Sequence, residues 1–442
     1  MPAAMSIAGV DSGGGAGVIA DMKTFAALGV HGSCVITSVT AQNTMKVMGC
    51  FDIPSEFIEK QFDAIISDIR IKCVKTGMLS SPDIVRKVAE LIKRYKLPLV
   101  VDPVMTAEAG GKLLRDEAVE VLIEELLPLA WVTTPNIHEA KVLSGIDIKD
   151  VKDAEKAAEK IHSFGAEAVI VTGGHLNGTD VVYDGRVTHI KGRIVKGGTH
   201  GAGCTYSAAI TAELAKGKQL IEAAQTAKHF VEKGILSGMK VGKGIALVNP
   251  LHIIAEAERY HVLRNVEEAV KLIEEHMCSE LVPEVGCNIA MGISNAVSIS
   301  DVAAVSGRMV RLKGKPHAVG CVSFGASTHV AKIVLTAMQY DAFMRSAMNI
   351  RYSDSALKAC KKLGLFMEFF LRKDEPDGVS TMEWGVAYAI KKAGRVPDVI
   401  YDTGDIGKEA MIRILGRNAM EVAERAIKIC AMMSCELDNR KF

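Results

Sequence analysis

From residue 5 to about residue 240 the sequence alternates short apolar runs with amphipathic segments. MSIAGV is followed by GVIADMKTFAAL, and PDIVRKVAELIKRY is followed by LPLVVDPV. Continuous apolar runs are typical of buried parallel strands, and the amphipathic segments between them are typical of helices. The alternation therefore predicts an α/β fold with a parallel sheet, whose ligands bind beyond the carboxyl ends of the strands.

Turn signals and chain length divide the sequence further. Ser81, Pro82 and Asp83 supply an N-cap, a proline at the first helical position and an early acid, which predicts a helix start. Because a domain has roughly 150 residues, 442 residues allow two or three domains. The alternation breaks around 238–262, so we predict a first domain over 1–245, a linker over 246–262 and a second, smaller α/β domain over 263–442.

Composition restricts the partners. The 53 Lys and Arg balance the 52 Asp and Glu, so no nucleic acid is expected, and small molecules are the expected partners. No apolar run approaches the roughly 20 residues that span a bilayer, and the first residues lack a basic leader, so we expect a cytoplasmic protein without a membrane partner.

The ten cysteines are scattered, which predicts reduced thiols without disulfides and argues against a zinc site at Cys278 and Cys287.

Two glycine-rich segments stand at strand–helix junctions. The first, GVDSGGGAG (9–17), brings backbone amides close to a ligand or is simply a tight turn. The second, GGTHGAGCTYSAA (197–209), precedes a small-residue helix, so the amides of Gly201, Ala202, Gly203 and Cys204 would stabilise phosphoryl charge. We predict an anion hole there, with a structural turn as the alternative.

Three further side chains suggest kinase chemistry. Cys204 lies at a helix N-terminus, where a thiol pKa tends to fall, and it is the candidate base. Asn136 and Glu139 in TPNIHEA lie on one face of a helix start, where their oxygens would suit Mg²⁺ or would merely form a capping box. Asp102, at a strand end, is a further candidate for holding Mg²⁺.

Residues 4 to about 245 resemble the hydroxymethylpyrimidine kinase branch of the ribokinase-like superfamily. The resemblance rests on AGVDSGGGAGVIAD, TAQNT and GTHGAGC, in that order. It implies a three-layer α/β/α sandwich that uses ATP to phosphorylate hydroxymethylpyrimidine and then its phosphate. It also implies a pyrimidine pocket lined by Gly9, Asp21, Gln42, Met78 and Val104. A glutamine amide offers one donor and one acceptor to an aminopyrimidine edge.

The resemblance leaves the kinase substrate partly open. Pyridoxal is an alternative substrate, since related kinases carry the same cysteine where sugar kinases have Asp. Glu108 stands where family members often have Lys, which puts phosphate handling in the second phosphorylation in doubt. Kinases of this superfamily are commonly dimers or larger, so a homo-oligomer is expected.

The second half offers a different set of candidates. Arg308 begins the basic stretch RMVRLKGK, which is otherwise typical of a solvated strand edge. Ser327 as N-cap would place His329 in the first turn of a helix, where free amides favour an anion. The segments FMRSAMNIRYS and YDTGDIGKEAM contain further predicted phosphate ligands, which are Arg345, Arg351, Asp402 and Lys408. Asp402 has a turn-forming role as its alternative.

Residues 262–435 resemble the thiamine-phosphate synthase domain that is found fused behind such kinases. The resemblance rests on SGRMVRL, GASTHVAK, MNIRYS and DTGDIGKE. It implies that pyrimidine diphosphate and thiazole phosphate are joined to thiamine phosphate, with Arg308 and His329 as catalytic candidates. Whether His329 acts as acid or base stays open. Related domains also sense thiamine phosphate in regulators, so a sensing module is the alternative.

Overall fold

The computed structural model describes residues 1–442 except 107, 109, 112, 175, 377–379, 406 and 439–442. The chain forms two compact units, Met1–Ile254 and Ala255–Phe442. In the described residues, we find no helix that combines the length and the apolar character needed to cross a membrane.

The first unit is an α/β sandwich around one large sheet. Its strands are β1 Ala3–Asp11, β2 His31–Gln42, β3 Val47–Asp52, β4 Ile71–Thr76, β5 Leu99–Val101, β6 Val132–Thr133, β7 Val169–Val171, β8 Thr179–Tyr183 and β9 Val187–Lys191. Its helices are α1 Gly17–Ala27, α2 Ser55–Ile66, α3 Pro82–Tyr95, α4 Asp116–Val121, α5 Ile137–Ser144, α6 Val151–His162, α7 Ala202–Ala215 and α8 Leu220–Leu236.

The sheet order is β3-β2-β1-β4-β5-β6-β7-β8-β9. The six neighbouring strands β2, β1, β4, β5, β6 and β7 pair in parallel, as the sequence predicts. Strands β3, β8 and β9 pair antiparallel at the two edges of the sheet. Side chains of β1 pack on both faces of the sheet, because Met5 and Ile7 belong to one apolar cluster and Ala4 belongs to another. The expected three-layer α/β/α architecture is therefore confirmed.

The predicted helix start at Ser81 is also confirmed. Helix α3 begins at Pro82, and the Ser81 side chain accepts a hydrogen bond from the Ile84 amide. Helix α7 is different in kind, because every residue from Thr205 to Ala215 is buried. Its small side chains let it lie close against the centre of the sheet, which brings its N-terminus to the carboxyl ends of the strands.

The second unit is a smaller α/β sandwich, as predicted. Its strands are β10 Ile289–Gly292, β11 Val302–Val305, β12 Met309–Leu312, β13 Lys315–Ala318, β14 Val322–Phe324, β15 Ser346–Arg351, β16 Met367–Phe369, β17 Val399–Asp402 and β18 Met411–Gly416. Its helices are α10 Thr328–Tyr340, α11 Asp354–Lys362, α12 Thr381–Ala393 and α13 Ala419–Asp438, preceded by α9 His252–His276.

The main sheet of this unit has the order β14-β11-β10-β15-β18-β17-β16, and β12 and β13 form a separate hairpin. Neighbouring strands are antiparallel except β16 and β17. The register aligns Arg351 with Met411, and Met411 with Asp402. The carboxyl ends of β11, β15 and β17 therefore lie at one end of the sheet, which we call the arginine end.

Two sequence expectations differ from the structure. Helix α9 begins at His252, inside the segment predicted as the linker 246–262, because the amphipathic pattern that follows extends back to that point. Cys278 and Cys430 form a disulfide with Cα atoms 5.8 Å apart, so the expectation of no disulfide is wrong. The two cysteines are 152 residues apart in sequence, and only the packing of the chain ends of this unit brings them together.

Candidate active sites

A buried ion cluster lies under the carboxyl ends of β4 and β5. Lys75 is fully buried, with Nζ 2.9 Å from Asp21 Oδ1 and 3.9 Å from Asp102 Oδ2. Burial lowers the pKa of Lys75, but the charges of Asp21, Cys204 and Asp102 raise it more, so the side chain stays a cation. The other oxygen of the Asp21 carboxylate accepts a hydrogen bond from Ser6. Asp21 therefore pairs with Lys75, and its place in the pyrimidine pocket stays a prediction.

Cys204 lies in the first turn of α7, next to this cluster. Burial raises the pKa of its thiol to about 12; Lys75 lowers this pKa, while Asp102 and Asp21 raise it. The expectation of a lowered thiol pKa is therefore wrong for the free protein, since desolvation and two carboxylates outweigh the helix N-terminus. Asp102 itself accepts a hydrogen bond of 2.7 Å from Ser207, one turn further along α7.

The first glycine-rich segment is closed by a carboxylate. Asp11 accepts hydrogen bonds from the amides of Gly13, Gly15 and Ala16, at 2.8 to 3.1 Å. His200 Nε2 lies 3.1 Å from the same carboxylate. Burial would raise the pKa of Asp11, but the hydrogen bonds from His200 and the amides bring it below the usual value. These three amides are therefore occupied, and this segment is the tight turn that the sequence left as an alternative.

The two glycine-rich segments touch each other. Gly201, the N-cap of α7, has φ +87°, and a Cβ there would lie 1.9 Å from the Gly15 carbonyl oxygen. Such a contact excludes any larger residue. The first-turn amides of an α-helix have no intrahelical acceptor. Those of Gly203 and Cys204 are therefore in the position predicted for the anion hole, while the Ala202 amide bonds the Thr199 carbonyl.

The expected pyrimidine-binding residues lie along this same edge. A Cβ at Gly9 would approach Met78 Sδ to 3.1 Å, so these two residues are in contact. Gln42 is buried, with Nε2 3.5 Å from His200 Nε2. Val104 is half-buried and follows Asp102 by two residues. The structure thus brings Gly9 next to Met78 and Gln42 next to His200, and Asp21 contacts Lys75.

Asn136 and Glu139 form a reciprocal capping box at the start of α5. The Asn136 side chain accepts from the amides of His138 and Glu139, and Glu139 Oε2 accepts from the Asn136 amide. Burial, and then the charge of Asp102, raise the pKa of Glu139 to about 8. A carboxylate whose ionisation is opposed in this way is stabilised by a nearby cation.

The fit to Mg²⁺ rests on that pair of acids. No group of three or more His, Cys, Asp or Glu side chains in the described part of the chain is arranged to hold a metal. Mg²⁺ is commonly held by one or two carboxylates, with water and substrate phosphate completing its shell. Asp102 and Glu139 fit that arrangement. Glu108 accepts a hydrogen bond from Thr199 Oγ1 at 2.5 Å and lies 3.9 Å from His200 Nδ1.

In the second unit, cationic side chains gather at the arginine end of the sheet. Arg308 follows β11, and its guanidinium donates to the Val285 carbonyl. Arg311 donates to the Val282 carbonyl at 3.3 Å. Arg311 and Arg351 both line a cavity of about 360 Å³. Arg308 and Arg351 were predicted as site residues, and the structure places them at the same end of the sheet.

Asp402 lies between two arginine side chains of the second unit. It is fully buried and accepts hydrogen bonds from Arg372 Nε at 2.6 Å and Arg413 Nη1 at 2.8 Å. The Gly404 amide also donates to it at 2.9 Å, which is the turn-forming alternative. The structure thus gives Asp402 the turn-forming contact and two arginine partners, while its role as a phosphate ligand stays a prediction.

Arg345 is separated from the other predicted phosphate ligands. It precedes β15 and Arg351 ends it, so six residues place them about 20 Å apart along the strand. Arg345 bonds Glu258 and Ser294 instead. One phosphate therefore cannot bind both arginines. Lys408 lies at the arginine end in a turn closed by backbone bonds to Asp405 and is half-exposed.

His329 lies on the exposed first turn of α10, as predicted. Ser327 is the N-cap residue, as predicted, and its side chain makes no capping hydrogen bond. His329 is not among the residues that line the 360 Å³ cavity.

Several site residues escaped the sequence analysis. Lys75 and Arg413 are buried inside the apolar strands β4 and β18, and His200 is buried in the glycine-rich segment before α7. A lysine in the buried strand IKCVKT is a usable signal, because Lys is almost never buried without a partner. The partners themselves are 54 and 27 residues away in sequence, at Asp21 and Asp102, and no spacing rule connects them.

The two units match two protein families. Residues 11–249 match the phosphomethylpyrimidine kinase family, and residues 265–428 match the thiamine-phosphate synthase ThiN family. Both matches were implied by the resemblances, and the fusion of the two is therefore confirmed.

Curated relatives and solved structures agree with this division. The chain is 37% identical over 422 residues to the bifunctional thiamine biosynthesis protein ThiDN of Methanocaldococcus jannaschii, covering 95% of this chain and 96% of that protein. It is 48% identical over 257 residues to a hydroxymethylpyrimidine/phosphomethylpyrimidine kinase of Rhizobium meliloti, covering 56% of this chain and 97% of that one.

Two similar crystal structures are pyridoxal kinases. That of Bacillus subtilis in an ADP complex is 39% identical with a TM-score of 0.54, covering 57% of this chain and 99% of that one. That of Staphylococcus aureus with pyridoxal is 35% identical with a TM-score of 0.53, covering 57% and 94%. The first unit therefore has the ribokinase-like fold of the vitamin kinases. The chain belongs to the family of bifunctional thiamine biosynthesis proteins, with a phosphomethylpyrimidine kinase domain followed by a thiamine-phosphate synthase domain.

Proposed function

We propose that this enzyme phosphorylates hydroxymethylpyrimidine twice with ATP in its first unit and joins the product to thiazole phosphate in its second. The observation that carries the proposal is that the two family matches fall on the two compact units, in an order shared with a relative over 95% of this chain. The product of the first reaction is the substrate of the second, which gives the fusion a chemical reason.

In the kinase reaction, the hydroxymethyl oxygen bonds to the γ-phosphorus while the bond from that phosphorus to ADP breaks. The amides of Gly203 and Cys204 point out of the α7 N-terminus and stabilise the transferred group. Cys204 positions the hydroxyl and takes its proton when the thiol is ionised. Because phosphoryl transfer depends mostly on positioning and electrostatics, a scarce base is tolerable.

Two carboxylates are the proposed magnesium ligands. Asp102 and Glu139 interact electrostatically across the ends of β5 and β6, and a cation between them would lower the raised pKa of Glu139. Mg²⁺, when bound, would neutralise phosphate charge. The chain's own contribution is to hold Asp102 in place through Ser207 and Lys75.

In the coupling reaction, the thiazole nitrogen bonds to the pyrimidine methylene carbon while the bond from that carbon to diphosphate breaks. Charge develops on the leaving oxygens, and guanidinium groups match such oxygens well. Arg308 and Arg351 are the proposed ligands at the arginine end, with Lys408 beside them. His329 is the proposed group that donates a proton or a hydrogen bond to the leaving group, and its role as a base stays an alternative.

The test is a one-pot reaction. Purified protein is given hydroxymethylpyrimidine, thiazole phosphate, ATP and Mg²⁺, and the products are identified by mass spectrometry. We expect thiamine phosphate from the wild type, unphosphorylated pyrimidine from Cys204→Ala, and accumulated pyrimidine diphosphate from Arg308→Ala and His329→Ala. Pyrimidine diphosphate as the wild type's final product would support the sensing alternative for the second unit.

Pyridoxal is a second candidate substrate for the kinase. The similarity to two pyridoxal kinase structures favours it, at 39% and 35% identity. Competing pyridoxal against hydroxymethylpyrimidine for limiting enzyme measures the ratio of kcat/KM values. We expect the pyrimidine to be preferred because of Gln42, and Gln42→Ala to lower that preference.

Cytoplasmic location and homo-oligomerisation remain part of the proposal. Light scattering on the purified chain measures the second directly, and a monomeric mass would contradict it.

A further inference from the structure

The cavity at the arginine end of the second unit has the dimensions of a ligand site. Its volume of about 360 Å³ lies in the range of roughly 300–1,000 Å³ that is typical of small-molecule sites. Arg311 and Arg351 contribute positive charge to its wall, and Glu284 is the acidic residue of the described lining. Arg308 lies directly behind Gly286, another wall residue.

The arginines around this cavity are held without being neutralised. Arg311 donates to the carbonyl oxygen of Val282 and Arg308 to that of Val285. A carbonyl fixes the orientation of a guanidinium group but leaves its positive charge intact. In the described part of the chain, none of Arg308, Arg311 and Arg351 has an ion pair with a carboxylate. Positive charge is therefore available to a ligand.

The rim of the cavity is held by Glu409, an acid that is not among the described lining residues. Glu409 accepts hydrogen bonds from the amides of Glu284 at 3.1 Å and Val285 at 3.3 Å. Gly286 then turns with φ +81°, and a Cβ there would lie 3.0 Å from the Met309 carbonyl oxygen and 3.2 Å from Arg308. The rim is thus built so that the carbonyls of Val282 and Val285 meet the two arginines.

We propose that this cavity binds a phosphoryl group, with Arg311 and Arg351 as its ligands and Glu409 as the residue that positions its rim. Guanidinium groups bind phosphoryl oxygens through paired hydrogen bonds. The source of the anion rests on the proposed coupling reaction: it is either the diphosphate of the pyrimidine substrate or the monophosphate of the thiazole substrate. Both present the same oxygens to the arginines.

The first experiment measures binding alone. Inorganic diphosphate and inorganic phosphate are titrated by calorimetry into the full chain with saturating ADP, so that the nucleotide site of the kinase is filled. We expect Arg311→Gln to weaken binding of at least one of the anions by about tenfold to hundredfold. Arg264→Gln, at an exposed arginine of α9 that pairs with Glu267, is the matched control and should bind as the wild type does.

The second experiment separates the two sources. The coupling step is assayed alone, with pyrimidine diphosphate and thiazole phosphate supplied and no ATP. A raised KM of Arg311→Gln for the first substrate assigns the cavity to the diphosphate, and a raised KM for the second assigns it to the monophosphate. Glu409→Gln should raise the same KM less, because it acts only through the rim.

Unchanged anion binding and unchanged KM values in Arg311→Gln overturn the inference, even if the wild type makes thiamine phosphate. If the wild type makes none, but binds diphosphate in a way that Arg311→Gln abolishes, the cavity stands and the coupling function fails. Arg311→Lys keeps the charge but not the paired geometry, and an unchanged unfolding midpoint in both variants shows that the loss is local.

Discussion

The candidate sites of the two units are built with opposite charges. In the first unit, Asp21 and Asp102 flank one buried cation, Lys75, and Glu139 interacts electrostatically with Asp102. In the second unit, two buried arginines share the single carboxylate of Asp402, and more arginines lie at the same end of the sheet. An acidic site suits the kinase reaction, in which ATP binds together with Mg²⁺. A basic site suits the coupling reaction, in which diphosphate is the leaving group.

The buried ion pairs in the two units also respond to pH in different ways. A carboxylate that loses its partner can take up a proton and become neutral. A guanidinium group cannot lose its proton under ordinary conditions. Removing Lys75 from the first unit should therefore cause a loss of stability that becomes smaller at low pH. Removing the charge of Asp402 from the second unit should cause a loss of stability that does not depend on pH.

The largest expected effect is on the kinase. Cys204→Ala should lower its kcat by roughly 10²- to 10⁴-fold, the range for loss of a base, while the coupling step with supplied pyrimidine diphosphate stays unchanged. Since the thiol pKa is about 12, the wild-type kcat should rise with pH through neutrality, whereas Cys204→Asp should remain active without that rise. Cys50→Ala, at an exposed cysteine, is the control. A Cys204→Ala enzyme with normal kcat would remove Cys204 from the mechanism.

Asp402→Asn should destabilise the second unit by about 3–5 kcal/mol, the usual result of breaking a buried ion pair. The loss should be the same at pH 5.5 and pH 8. Urea unfolding followed by Trp384 fluorescence in a Trp131→Phe background reports on this unit, since each unit has one tryptophan. The control is Asp398→Asn, whose pair with Arg425 is partly exposed and should cost at most about 1 kcal/mol. Equal losses would show that burial does not matter here.

Lys75→Met should destabilise the first unit by about 3–5 kcal/mol at pH 8 and by less at pH 5.5. Burial raises the folded-state pKa values of Asp21 and Asp102, and Lys75 lowers both. Without Lys75 these pKa values lie still further above the unfolded values, so the folded state binds more protons and the free energy of unfolding falls more steeply as pH rises. Trp131 fluorescence in a Trp384→Phe background measures it. Lys87→Met, in a partly exposed pair with Glu59, is the control. A pH-independent loss would contradict the carboxylate explanation.

A smaller effect is expected from Glu139. Its folded-state pKa of about 8 lies above the model-peptide value, so Mg²⁺ must displace a proton below pH 8. The apparent Mg²⁺ affinity of the kinase should then rise by up to about tenfold per pH unit towards pH 8. Glu139→Gln should bind Mg²⁺ more weakly and lose this pH dependence. The measurement is the Mg²⁺ concentration that gives half the maximal kinase rate at pH 6.5, 7.25 and 8. A wild-type value that does not change with pH would exclude Glu139 as a ligand.

Local patterns in the sequence predicted most of the architecture. Buried apolar runs indicated the parallel strands, Ser81 and Pro82 indicated the start of α3, and small residues after GTHGAGC indicated a helix with a free N-terminus. Motif order also indicated which two families the chain joins. These features depend on neighbouring residues, and hydrophobic periodicity and capping act over a few positions.

Tertiary structure decided which charges meet. Asp402 is partnered by Arg372 and Arg413, 30 and 11 residues away in sequence, and no spacing in the sequence indicates that these charges meet. The pKa of the Cys204 thiol is raised because packing buries it and because Asp102 and Asp21 reach the same cluster from other elements. Charge interactions depend on distance and burial, and both are set by the packing of segments remote in sequence. The sequence alone determined the elements and the chemistry available, and the fold determined where each charge acts.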